Sequence, residues 1–310
     1  MSVQDLAPIC LFTYNRIENL KKTIKALKNN YLAKKSNLFI FSDGPKNNIE
    51  TNKIYKLRDF IKTISGFKNI ILIENKNNFG LKKNIIKGIN YVLRDNEKII
   101  VLEDDLVTTK NFLFYMNKAL NFYSKKKRVM QISSFALPFN NCKNNFFFWK
   151  HSFCWGWGTW KDRWKYYNSE PDNYINNFTK EEIKDFDFNG SNFLWPQILA
   201  NKKKKINTWA IFWSATIYKK NGLCLNPTKS FIKNIGYDKN ATHSYKSKIK
   251  VNLINEEKRY FKFPDKIFED LTNYSKMEDF IKKNKINIFL RMFNLFTYLI
   301  FRKRFFYSKF

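Results

Sequence analysis

The chain has 310 residues, 44% of them hydrophobic, with 32 Phe and 8 Trp, so a folded chain with a large core is expected and not a disordered one. Its 57 Lys and Arg against 26 Asp and Glu give a formal charge of +31, which permits nucleic acid, anionic lipid or phosphate-rich ligands. Asn, Ile, Phe and Lys are abundant together, as an AT-rich coding sequence produces, so the charge by itself selects no partner.

The first half alternates apolar runs with helical patterns. Pro8 to Thr13 reads as a buried strand, and Asn15 follows as an N-cap with Glu18 three residues later, in the manner of a capping box. Ile17, Leu20, Ile24 and Leu27 then recur at helical spacing. Leu38 to Phe41 is a second strand that ends in the turn Ser42-Asp43-Gly44-Pro45. Ile54, Leu57, Ile61 and Ile64 mark a helix, Asn69 to Ile73 a third strand, and Ile85, Ile86 and Ile89 the helix after Gly80. Lys98 to Leu102 is a fourth strand running straight into Glu103-Asp104-Asp105, and a fifth lies near Val129 to Ile132.

Apolar strands alternating with helices imply a mainly parallel sheet covered on both faces. Ligands of such sheets bind beyond the carboxyl ends of the strands. Tyr14-Asn15, Asp43 and Asp104-Asp105 all fall at those ends, which points to one site.

The second half is richer in Trp and Asn, and its periodicity is weaker. A division into residues 1–135, residues 136–260 and a tail 261–310 follows, the first two packed together as halves of one domain. Residues 281–310 contain eight Lys or Arg and no acid around the apolar stretch 286–301. That stretch has 16 residues and includes Arg291, shorter than the about 20 a transmembrane helix needs. Two readings stand: a basic amphipathic helix on an anionic membrane, or a helix packed on the main domain. The N-terminus MSVQDLAPIC has neither a basic n-region nor an apolar h-region, so no signal peptide is expected. Cys10, Cys142, Cys154 and Cys224 form no Cys-x-x-Cys pair, which argues against structural zinc and a disulfide framework. A cytoplasmic setting fits.

Each candidate site residue has an ordinary reading beside a functional one. Glu103, Asp104 and Asp105 are either a Mg²⁺ or Mn²⁺ site that receives phosphates or a solvated turn capping the next helix. Asp43 is either an acceptor for a nucleobase edge or plain turn chemistry. Gly80, after Asn78-Phe79, lets backbone approach a phosphate, and Lys82 and Lys83 either neutralise a diphosphate or are solvated. Trp155-Gly156-Trp157-Gly158-Thr159-Trp160 is either a flat sugar-binding surface or an aromatic core plug. His243 is one of two histidines and, with the acidic cluster, supplies a nitrogen ligand to the same metal or is structural.

In this order, Pro8 through Arg16, Phe41-Ser42-Asp43-Gly44, Asn78-Phe79-Gly80, Val101 through Asp105, Trp155 through Trp160, and Asn234-Ile235-Gly236 through His243 resemble bacterial glycosyltransferases of the GT-A fold. These are family 2-like enzymes, including members related to the N-acetylglucosaminyltransferase I group. The likeness covers roughly residues 7–245 and leaves out the tail. It implies that Thr13, Tyr14, Asn15, Arg16 and Asp43 contact a nucleotide, uridine first among them, with Gly80, Lys83 and Glu103 nearby. It implies that Asp105 ligates Mn²⁺ (or Mg²⁺), with His243 completing the shell, and that Asp104 touches ribose or sugar. The implied partners are a nucleotide-sugar donor and a saccharide or lipid-linked acceptor, with Trp155, Gly156 and Trp157 on the acceptor side. Surface polysaccharide or lipopolysaccharide synthesis on the inner face of the cytoplasmic membrane is the implied setting.

One departure matters. Related sequences often carry an acid after the Trp that Trp209 matches, where Ala210 stands here, so Asp185 and Asp187 are the substitute candidates for a general base. The competing classes are a basic nucleic-acid-binding protein and a saccharide-binding homologue without turnover. No helix-turn-helix, zinc or RNP-like signature supports the first, and no nucleic acid is expected. A sugar nucleotidyltransferase would need a Gly-rich loop after the first strand, and that loop is missing.

Overall fold

The computed structural model describes residues 6–139, 144–236, 251–254 and 261–284. His243 and the apolar stretch 286–301 lie outside the described residues.

The chain order is β1 (Ile9–Thr13), α1 (Ile17–Lys28), β2 (Asn37–Ser42), α2 (Asn48–Lys62), β3 (Asn69–Glu74), α3 (Gly80–Asp95) and β4 (Lys98–Glu103). There follow β5 (Leu106–Thr108), α4 (Phe112–Phe122), β6 (Val129–Ser133), β7 (Phe146–Trp149) and β8 (Trp157–Trp160). Then come α5 (Lys161–Trp164), α6 (Pro171–Ile175), α7 (Lys180–Phe186), α8 (Trp195–Lys202), α9 (Ala210–Lys219), β9 (Leu223–Pro227), β10 (Ile232–Asn234) and α10 (Leu271–Asn284).

Eight strands form one sheet in the order β3-β2-β1-β4-β8-β6-β9-β7. β3, β2, β1 and β4 are mutually parallel, and β6 and β9 run the same way because β8 is antiparallel to both β4 and β6. Only β8 and β7 are reversed, which makes the sheet mainly parallel. The apolar runs in the sequence have this cause: every residue of β1 is buried, and Ile99 to Leu102 of β4 are buried as well. The sheet takes strands from both sides of residue 135, with β4 hydrogen-bonded to β8.

α1 begins differently from its sequence signature. Its N-cap residue is Arg16, no side chain caps it, and Glu18 pairs with Lys21 instead of closing a capping box. Among the described residues, no helix is long and apolar enough to cross a membrane.

Candidate active site

Parallel register places the carboxyl ends of three neighbouring strands together: Phe12 of β1 stands opposite Glu103 of β4, and Thr13 opposite Ser42 of β2. The β1–α1 loop, Asp43 and the acid triplet therefore meet at one edge. Asp104 is drawn inward and is 7% exposed. The Thr13 hydroxyl donates to its Oδ2 at 2.7 Å, the Tyr14 amide donates to the same oxygen at 3.3 Å, and Thr23 donates to its carbonyl at 2.8 Å. Asp105 points the other way, to Arg16, whose Nη1 lies 2.9 Å from Oδ2. Arg16 Nη2 donates to the Gly236 carbonyl at 3.0 Å, and the Ile235 amide donates to the Asp105 carbonyl at 2.8 Å. The short antiparallel pair β5–β10 builds this second wall.

Three adjacent carboxylates crowd together beside Arg16, and the electrostatics record it. Burial, then the charges of Asp105 and Asp104, push the Glu103 carboxyl up to about 8, with Arg16 opposing. Burial and Asp105 push Asp104 up to about 7 against the hydrogen bonds from Thr13 and Tyr14. A divalent cation would relieve such crowding. Among the described residues no group of three or more His, Cys, Asp or Glu side chains converges to cage a metal. The donor set nonetheless suits Mg²⁺ or Mn²⁺, hard cations that one or two carboxylates hold together with substrate phosphates.

Asp43 is 3% exposed and organises its surroundings. Its Oδ1 accepts from the amides of Gly44 (3.0 Å) and Phe79 (2.9 Å) and from Asn75 Nδ2 (3.1 Å), while Oδ2 accepts from the Gly80 amide at 2.9 Å. It thus ties the end of β2 to the start of α3, where a carboxylate favours the helix N-terminus. Beneath it the buried Arg58 of α2 donates to the carbonyls of Ser42, Asp43 and Asn75 and pairs with Glu74 at 3.1 Å. Lys83 lies over the Phe79 ring at 4.9 Å. Lys82 turns to Ser169 and the Phe212 ring, and its ammonium is held below the usual range by burial.

The Trp-Gly segment divides between core and site. Trp157 is fully buried and packs on Trp209 at 5.3 Å, Trp164 at 5.8 Å and Trp213 at 6.1 Å, so it offers no face to a saccharide. The glycines answer packing: a Cβ on Gly158 would stand 2.8 Å from the Ile99 carbonyl, and one on Gly156, whose φ is +63°, would meet Ser134 Oγ at 2.5 Å. Trp155 is partly buried, edge-on to Phe135 at 4.6 Å. Its neighbour Cys154 lies near the triplet: burial and then the Glu103 charge raise its thiol to about 12. Trp155 is therefore the part of the segment left toward the acid cluster, whereas Gly156 is packed in the core, a correction to its expected place on the acceptor side, and Trp157 anchors β8.

The two candidate bases are not brought to the triplet. Asp185 pairs with Lys150 at 3.0 Å and accepts from Tyr218 at 2.8 Å. Lys150 follows the last residue of β7, which is four strands from β4, or about 19 Å at ordinary strand spacing. Trp149 also pairs with Cys224 near the beginning of β9, at the sheet edge opposite the triplet. Asp187 is 2% exposed, and its Oδ1 accepts from the amides of Phe193 (2.8 Å), Leu194 (2.6 Å) and Trp195 (3.1 Å) at the start of α8. This is helix-terminus chemistry. Asp187→Ala is expected to lower stability by about 2–3 kcal/mol, since three partly buried amides lose a buried charged acceptor, while nucleotide affinity stays within about twofold of wild type. Urea unfolding beside calorimetric titration checks this. Unchanged stability with impaired turnover would return Asp187 to a catalytic role.

Sequence reasoning missed Glu50, Lys46 and Arg58. The Glu50 carboxylate accepts from the Tyr14 hydroxyl and, at 2.9 Å, from Asn15 Nδ2, and the Lys46 amide donates to the Tyr14 hydroxyl oxygen at 3.1 Å. The hydrogen bond from Tyr14 holds the Glu50 carboxyl below the usual range against burial. The available signal was Asn47-x-x-Glu50, which reads only as a helix start.

No curated protein sequence matches this chain. Among solved structures, a mannosyltransferase from Pyrobaculum calidifontis in complex with GDP-Man and Mn²⁺ is 8% identical, with 70% of this chain and 72% of that one covered and a TM-score of 0.38. TarS 1-349 from S. aureus is 9% identical, with 74% and 61% covered and a TM-score of 0.40. GalNAc-T7 with UDP, GalNAc and Mn²⁺ is 11% identical, with 73% and 42% covered and a TM-score of 0.45. The family model described as Glycosyl transferase family 2 matches residues 9–193, from the first residue of β1 past the acid triplet and β8, and so across more than half of its length the chain is a member of glycosyl transferase family 2.

Proposed function

We propose that the protein transfers a glycosyl group from a nucleoside-diphosphate donor, a UDP-sugar first among the candidates, to a hydroxyl of a saccharide or lipid-linked saccharide. The observation that carries this reading is the opposition of Asp105 and Arg16 at the joined ends of β1, β2 and β4, beside two carboxyls whose ionisation burial and mutual charge disfavour. Asp105 would hold Mn²⁺ or Mg²⁺, with His243 as the further ligand that the family resemblance implies, and the ion would supply positive charge against the departing diphosphate. Arg16 adds a fixed cation at the same place. Thr13 and the Tyr14 amide keep Asp104 oriented toward ribose or sugar, and Asp43 with the first turn of α3 forms the nucleobase side. Lys83 contributes charge near the phosphates, and Trp155 lines the acceptor side.

The basic stretch 281–310 supports peripheral contact with an anionic membrane, on the cytoplasmic inner face, and hence an acceptor of surface polysaccharide or lipopolysaccharide synthesis. The test is calorimetric titration of UDP, GDP and CDP with and without Mn²⁺. Metal-dependent binding is expected, UDP tightest. Absence of binding by all three nucleotides in the presence of Mn²⁺ would sink the proposal.

A further inference from the structure

Two helices that meet at the candidate site each give up part of an available cap. At α1 the sequence offers Asn15 as N-cap with Glu18 behind it, yet Arg16 occupies the cap position and no side chain serves it. At α2 the Asn47 side chain does accept from the Glu50 amide at 3.1 Å, which is half of a capping box. In the other half the N3 glutamate reaches back to the N-cap amide. Here the Glu50 carboxylate instead spans to the β1–α1 loop, taking the Tyr14 hydroxyl on one oxygen and Asn15 Nδ2 on the other. The Lys46 amide donates to the same Tyr14 oxygen, so the β2–α2 loop grips the ring from two sides. Its ammonium also stands 5.5 Å from the Tyr14 ring centre.

Local capping would stabilise each helix separately. A tie from the first turn of α2 to the β1–α1 loop instead fixes where Tyr14 and Asn15 stand, just beyond Thr13, whose carbonyl accepts from the Asp43 amide at 3.1 Å. The same β1–α1 loop carries Arg16 to Asp105 and the Tyr14 amide to Asp104. We infer that Glu50 is a positioning residue: it holds Tyr14 and Asn15 in the conformation that admits the nucleotide, acting through them and not on the reacting atoms. The inference rests on the donor-site reading above.

The experiment uses the full chain as Glu50→Ala, Glu50→Gln and, as a control for α2 capping alone, Asn47→Ala. Two readouts are taken: hydrogen exchange of peptides covering residues 13–17 without nucleotide, and UDP, GDP and CDP titrations with Mn²⁺. Glu50→Ala is expected to speed exchange of the loop and weaken nucleotide affinity about 10-fold, equivalent to about 1.4 kcal/mol. Glu50→Gln, which retains an acceptor oxygen and the length of the side chain, is expected to recover part of both. Asn47→Ala is expected to lower the melting temperature while leaving loop exchange and affinity near wild type. Unchanged loop exchange in Glu50→Ala overturns the tie. Faster exchange with wild-type affinity overturns the positioning role. An intact tie in a wild-type protein that binds none of the nucleotides overturns the donor-site reading and the role of Glu50 with it.

Discussion

Asp105→Ala is expected to abolish Mn²⁺-dependent nucleotide binding, weakening it roughly 100-fold or more, which corresponds to about 2.7 kcal/mol. The size follows from what Asp105 faces. Asp104 spends its carboxylate on Thr13 and the Tyr14 amide, and Glu103 and Asp104 are both pushed toward their neutral forms by burial and their neighbours' charge. Asp105 is the member of the triplet whose side chain turns to the charged wall of Arg16. Removing it takes away a carboxylate that would share a divalent ion with substrate phosphates, and such an ion contributes several kcal/mol of charge stabilisation. Asp105→Asn should be nearly as damaging, because shape without charge leaves the metal unsupported. Neither change should unfold the protein: Arg16 keeps the Gly236 carbonyl, and one source of repulsion in the triplet disappears. Calorimetry with a thermal melt on the same samples separates the cases. Wild-type affinity in Asp105→Ala would remove the triplet from the donor site.

The parts of the site legible in the sequence are those where strand and ligand chemistry coincide. β1 and β4 are buried apolar runs, so a polar cluster that follows without a spacer marks the carboxyl edge of a parallel sheet. Tyr14-Asn15, Asp43 and Glu103 to Asp105 are legible on that ground, whereas Thr13 enters only through the family resemblance. What escaped depends on contacts distant in sequence. Asn15 matches a cap by composition, but its partner Glu50 lies 35 residues on and competes successfully for its amide. Asp187 looks like a loop acid because the three amides it accepts belong to Phe193, Leu194 and Trp195, whose side chains advertise nothing. β8 was obscured for a related reason. Trp157 and Trp160 are buried within an antiparallel strand set among parallel neighbours, and Gly158 is small because β4 passes close by. Aromatic and glycine content suggested a sugar platform, whereas much of it answers packing demands.

Gly236→Ala tests the site from the opposite wall and should have an effect nearly as large as loss of Asp105. The pairing of Asn234 with Leu106, continued by the Ile235 amide on the Asp105 carbonyl, sets residue 236 directly against the Asp105 side chain. A Cβ there would lie 2.0 Å from Asp105 Oδ2 and 2.8 Å from its Cγ, closer than atoms tolerate. An aspartate side chain is short, so the clash is relieved by rotating the carboxylate away or by parting β10 from β5. Either movement separates Asp105 from Arg16, whose guanidinium also depends on the Gly236 carbonyl. Nucleotide affinity with Mn²⁺ is expected to fall about 10- to 100-fold, or about 1.4–2.7 kcal/mol. Stability should change by only about 1 kcal/mol, because the carboxylate moves toward solvent and water can reach the partly exposed guanidinium it leaves. Gly156→Ala is the contrasting case. Its φ of +63° and its approach to Ser134 and Ile232 set strain inside the core, so unfolding measurements should show a loss of about 2–3 kcal/mol. If Gly236→Ala binds nucleotide as wild type does, the position of Asp105 against that wall is not what the donor site uses.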